Sequence, residues 1–262
     1  MKNQFTITTH PVVVALGATL LFIESVLLIH APLLLLDVLM VFSLTLSAYT
    51  FPSTNKSSDS SKVANQVFFW VAVTSAVVSL LLGGTLSRMM ILSSCLILFF
   101  FYRFGSVIGI SFRGSPLLKG PIIALCWVII TVYMPVNIYE VTIDNLELTA
   151  MVMLNFSMVL AMAWLCDLAD LKKDFEKGLH TISVQLGPKR TIMLVLLVML
   201  ACTIAIAVAI PISSKVLGVT MVAYVLVGLA ILAVTKLSRS SAKWMVDALL
   251  LIKPLAVICL FH

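Results

Sequence analysis

The chain is a succession of apolar runs, each about twenty residues long, separated by short polar connections. A helix of that length matches the ~30 Å hydrocarbon core of a bilayer. Inside that core every backbone N–H and C=O needs a partner within the protein, so only helices or a closed barrel can form. The runs are continuously apolar and do not alternate, which argues against a barrel. Candidate spans fall at residues 11–30, 32–51, 67–86, 89–105, 119–137, 148–167, 191–212, 216–235 and 243–261. The expected fold is all-α, a polytopic membrane bundle of about nine transmembrane helices. It is expected to form a single membrane-embedded domain over residues 1–262. Charged residues make up 11% of the chain against roughly 25% in a soluble domain, which leaves no stretch for a separate soluble unit.

Lys and Arg gather on the cytoplasmic side of membrane proteins. With these spans, Lys2, Lys56, Lys62, Arg103, Arg113, Lys119, Lys172, Lys173, Lys177, Lys189, Arg190, Lys236, Arg239 and Lys243 share one side, and Arg88 and Lys215 the other. The N-terminus is therefore expected in the cytoplasm. The net charge of +6 then records topology. No basic run carries interleaved aromatics, so nucleic acid is not an expected partner. The first run contains Glu24 and lacks a small-residue cleavage site, so it is expected to stay as a helix. With no transit-peptide pattern, a prokaryotic plasma membrane is the expected location. The five cysteines stand singly, with no CxxC pair, and read as small buried hydrophobes.

One polar connection stands apart. It runs from Asp167 through Asp170 and Asp174 to Lys177, Gly178, Thr181, Val184 and Gly187. Aspartates at i, i+3 and i+7 share one helix face. Three like charges so close repel one another and invite a cation, and hard carboxylate oxygens suit Mg²⁺, particularly Mg²⁺ carrying a phosphate. Spacing alone leaves a second reading open, in which Lys172, Lys173 and Lys177 neutralise the acids in a solvated helix cap.

Two further connections are expected on the same membrane face. One holds Asn55 and Asp59, four residues apart in a Ser-rich stretch. The other carries Arg113 and Lys119, cations able to reach phosphate oxygens or simply following the positive-inside pattern. Glu24, Asp37 and Asp247 lie within or close to apolar runs, where ionisable groups are costly and often functional. Asp247 leaves two functional readings open, pairing with a nearby base or taking a proton from an acceptor, beside the plainer one in which it does neither. Lys253 is expected to snorkel outward. Phe22, Phe42, Tyr49, Trp127 and Trp164 read either as ordinary core or as the wall of an apolar chamber.

Asp167-x-x-Asp170-x-x-x-Asp174 followed by Gly178-x-x-Thr181-x-x-Val184-x-x-Gly187 resembles the second aspartate-rich motif of the UbiA-type intramembrane prenyltransferase superfamily. Residues 119–127 resemble the start of that family's fifth helix. The resemblance implies Mg²⁺-dependent transfer of a prenyl group from an allylic prenyl diphosphate to a lipid or aromatic acceptor within the membrane, with the active site on the cytoplasmic side. Asp170 and Asp174 become metal ligands, joined by Asn55 and Asp59 from the first motif. Asp167 becomes a ligand or orients one. Arg113, Lys119 and Lys177 become diphosphate contacts, with Arg113 and Lys119 stabilising the leaving group. The first motif departs from the family pattern, with Lys56 and Val63 where acids are usual. Two alternatives follow: a UbiA-type membrane terpene cyclase, and a non-catalytic isoprenoid-binding paralogue.

Overall fold

The computed structural model describes residues 9–50, 115, 117–209 and 214–261, together with scattered positions between 66 and 93. These residues are all-α. The helices are α1 (Thr9–Leu28), α2 (Leu35–Thr50), α3 (Lys119–Val128), α4 (Met134–Ile138), α5 (Asn145–Ala169), α6 (Leu171–Glu176), α7 (Ile182–Ala209), α8 (Ser214–Lys236) and α9 (Arg239–Phe261). A π-helical turn, Ile129–Tyr133, joins α3 to α4. Pro135 has no N–H to offer the Thr131 carbonyl four residues back, and the helix widens at that point.

The expected count of about nine transmembrane helices is not what the structure has. Among the described residues four helices are long and apolar enough to cross a membrane: Pro11–Leu28, Lys119–Ile138, Asn145–Ala169 and Ile182–Ala207. Two apolar helices, Leu35–Thr50 and Met221–Lys236, are shorter. At 16 residues, α2 rises only ~24 Å. α9 is 23 residues long, but Arg239, Lys243, Asp247 and Lys253 interrupt its apolar character. The spans expected at 67–86 and 89–105 lie almost wholly outside the described residues. The chain is a polytopic membrane protein with several candidate spans.

α1 packs between α9 and α2, and α5 packs against α3, α7, α8 and α9. One contiguous core joins these helices, with Phe22, Val41, Trp127, Met158, Leu165, Val195, Val227 and Val246 among its members. Unbranched Met40, Met134, Met158 and Met162 are buried and fill it. A smaller cluster of Ile29, Val128, Val132 and Met151 gathers the end of α1, the π turn and the start of α5. This marks one end of the bundle, the far end. There Tyr139 donates from Oη to Asp37 Oδ2 (2.9 Å) and accepts from the Leu34 N–H (3.4 Å), tying the α1–α2 turn to the end of α4. Meanwhile Met193, Leu197 and Leu200 of α7 face outward, as lipid-facing positions do.

Lys253 does not snorkel. It is 1% exposed and donates to Glu24 Oε1 (2.8 Å) and Asn155 Oδ1 (2.7 Å). The ammonium stays inside because α1 and α5 present acceptors where α9 passes them, so nothing draws it towards water.

Candidate charged site at one end of the bundle

The opposite end collects the charges. α5 finishes at Ala169, and Asp170 is at once its last cap and the residue before α6. Asp167, on the last turn of α5, is buried. Its carboxylate accepts from Lys119 Nζ at the start of α3. That contact depends on Gly120. A Cβ built there would lie 2.6 Å from Trp164 Nε1 and 3.0 Å from Leu160 Cδ1. Only glycine lets the first turn of α3 approach α5 closely enough for Lys119 to reach Asp167.

Asp170 is held from the other side by α9. Arg239 donates from Nε to Asp170 Oδ1 (2.6 Å), with Nη2 also 2.6 Å away, and Lys243 donates to Oδ2 (2.8 Å). Arg239 and Lys243 are four residues apart and so lie on one face of α9. Burial alone would raise the Asp170 carboxyl, but the hydrogen bonds and charges of Lys243 and Arg239 outweigh it and hold the group below its ordinary value. Lys173 moves down, first because it is partly buried and then because Arg239 stands near. One turn beyond Lys243, Asp247 is buried and accepts from the Cys166 thiol across 3.9 Å.

Asp174 is buried in the first turn of α6. Its N–H bonds to the Asp170 carbonyl (2.9 Å), and its carboxylate joins none of the ion pairs among the described residues. The rest of the motif shapes the chain. Gly178 has φ +65°. With Gly178 N–H on Phe175 O (3.0 Å) and Leu179 N–H on Asp174 O (2.9 Å), it closes α6 in a Schellman turn. Thr181 stands buried just before α7, and its carbonyl accepts from the N–H groups of Val184 and Gln185 (3.1 Å each). Val184 is half-buried in that first turn, and Gly187 breaks α7 where Pro188 follows.

The structure thus brings Asp167, Asp170 and Lys119 of the expected site to one end of the bundle, with Asp174 close by in α6. Lys177 is exposed at the α6 C-cap and joins none of the ion pairs among the described residues. Asn55, Asp59 and Arg113 lie outside the described residues, although α2 ends at Thr50 on this same end. Sequence reading missed Arg239 and Lys243 as partners of the acids. Their i, i+4 spacing at the start of a helix is the available signal, and it is equally what the positive-inside pattern produces. The nearby Lys172 and Lys177 do not pair with Asp167 or Asp170.

Among the described residues no group of three or more His, Cys, Asp or Glu is placed to hold a metal ion. The donors at this end are nevertheless all hard carboxylate oxygens, the type Mg²⁺ takes, so the residues present fit it in kind. Two of the three acids meet protein cations instead. No family model matches the chain, and neither does any curated protein or solved structure.

Proposed function

We propose that the charged end binds the diphosphate of an allylic prenyl diphosphate, and that the chain transfers the prenyl group to a hydrophobic or aromatic acceptor within the membrane. The observation that carries this reading is the convergence of Lys119 from α3 with Arg239 and Lys243 from α9 on acids at the end of α5. These are three cations paired with carboxylates, at the mouth of an apolar bundle. The resemblance of the 167–187 segment to the UbiA-type motif supplies the substrate class.

In this reading the allylic C–O bond breaks heterolytically and its electron pair leaves with the diphosphate. The acceptor then bonds to the allylic carbon and gives up a proton. Lys119 and Lys243, both partly buried, and the more exposed Arg239 stabilise the charge that grows on the leaving diphosphate. Asp170 and Asp174 would hold Mg²⁺, which when bound supplies charge neutralisation for the diphosphate. Trp164 and Trp127, both buried below this end, keep water from the allylic carbon.

The test is Mg²⁺-dependent diphosphate release by the purified full-length protein, offered C10, C15 and C20 prenyl diphosphates with mixed acceptors. We expect release by the native chain and at least a hundredfold less, on the order of what loss of a main electrostatic stabiliser costs, from Asp170→Ala/Asp174→Ala. Equal release by both would sink the reading. An acceptor–prenyl adduct supports transfer, whereas a cyclised product makes the chain a terpene cyclase. A second reading, isoprenoid binding without catalysis, is favoured by one observation: both oxygens of Asp170 are already taken by Arg239 and Lys243. It predicts saturable binding of prenyl diphosphate with no release.

A further inference from the structure

Deep in the bundle, away from the charged end, the Lys253 ammonium lies between Glu24 of α1 and Asn155 of α5. Along α5, Asn155 is twelve residues before Asp167, a rise of ~18 Å. Glu24 and Lys253 are each 1% exposed and Asn155 is 3% exposed. The charges cancel, but the hydrogen bonding does not close. An ammonium has three N–H donors, and Glu24 Oε1 and Asn155 Oδ1 take two of them. Glu24 Oε2 is buried with no hydrogen-bond partner among the described residues, and so is Ser25 Oγ, the next residue on α1. The centre therefore offers one spare donor on Lys253 and a spare acceptor on the same ion pair.

We propose that the Glu24–Asn155–Lys253 centre binds a single uncharged hydroxyl group, which donates to Glu24 Oε2 and accepts from the third Lys253 N–H. A charged occupant would upset a pair that is already neutral, and a hydrocarbon would leave both groups unsatisfied. A hydroxyl satisfies each with one bond, within the range of about two to four that a buried water makes. The oxygen belongs either to a water molecule or to the head of a membrane-soluble alcohol. The chemistry at the site is the same for both.

Full-length protein labelled with ¹⁵N-lysine, in liposomes with and without added 1-dodecanol, separates the cases by solid-state NMR. The Lys253 ammonium resonance is assigned by its loss in Lys253→Met, or in Lys253→Arg should the first variant fail to fold. A through-space contact from that ammonium to a bound water supports the site with water as occupant. A contact to the CH₂–OH protons of dodecanol supports it with an alcohol as occupant. In either case Glu24→Gln, which removes the carboxylate, should abolish the contact or weaken it several-fold. An ammonium that contacts only protein protons in both preparations overturns the proposal. So does a water or alcohol contact that survives undiminished in a folded Glu24→Gln variant.

Discussion

Asp167 and Asp170 show how two adjacent acids reach different settlements. Asp167 is buried and meets one ammonium, that of Lys119. Asp170 is less enclosed and meets a guanidinium and an ammonium. For Lys119→Met we expect a loss of about 1–3 kcal/mol of stability, because a buried carboxylate loses its main partner. Pairing that change with Asp167→Asn should recover most of the loss, and thermal unfolding of the four proteins in detergent measures the coupling. Asp170 predicts a pH effect. An unfolded aspartate titrates near ~3.9, and the folded Asp170 lies below that. The unfolded chain then takes up the proton first, so Asp170 stabilises the fold above ~3.9 and this contribution disappears as the pH falls through the folded value. In Arg239→Gln/Lys243→Gln the carboxyl loses the groups that lower it, and acid unfolding should begin at a higher pH. An unchanged acid midpoint would show that these partly exposed partners are screened by solvent. The sequence placed Asp167, Asp170 and Asp174 close together along the chain, but not the break at Asp170 that leaves Asp167 on α5 and puts Asp174 on α6. It did not show Arg239 and Lys243 as partners of Asp170, because they lie 69 and 73 residues away. Sequence spacing orders contacts within one helix and is silent on contacts between helices.

The elements were legible in type and less so in length. Apolar runs mark helices, but a run does not say whether the helix spans, as the 16-residue α2 demonstrates. Nor does a run report what its charges meet: Lys253, read as reaching for water, is buried against Glu24 and Asn155. The positions of Gly178 and Gly187 were visible, but their work as a helix stop and a helix break emerges only from their φ values of +65° and +75°. The contact of α3 with α5 rests on a missing side chain. Gly120→Ala should cost about 1–3 kcal/mol, because the new Cβ falls against Trp164 and Leu160 and the core must shift to admit it. Trp164→Phe removes the indole N–H side and should relieve much of that cost. A double-mutant cycle on thermal midpoints reads the relief, and additive losses would contradict the close approach.

At the scale of the whole molecule, α5 runs from the far end to the charged end, so its two flanks should lie on opposite sides of the membrane. Thr142 precedes it and Lys177 follows it, and both are exposed. In a cysteine-free background, Thr142→Cys and Lys177→Cys should each react with a membrane-impermeant thiol reagent from one face of sealed vesicles, and the faces should differ. Reaction from a shared face would overturn the crossing.

The link between Lys253 and Glu24 spans 229 positions of the chain, and that separation has a consequence for biogenesis. The ribosome delivers the acid long before it delivers the base. Throughout that interval the nascent α1 carries an unmatched carboxyl at a depth where charge is costly. Arrival of α9 ends the wait and latches it to α1. Translation products halted before Lys253 are expected to lack that latch and to leave the Glu24 carboxyl without its partner.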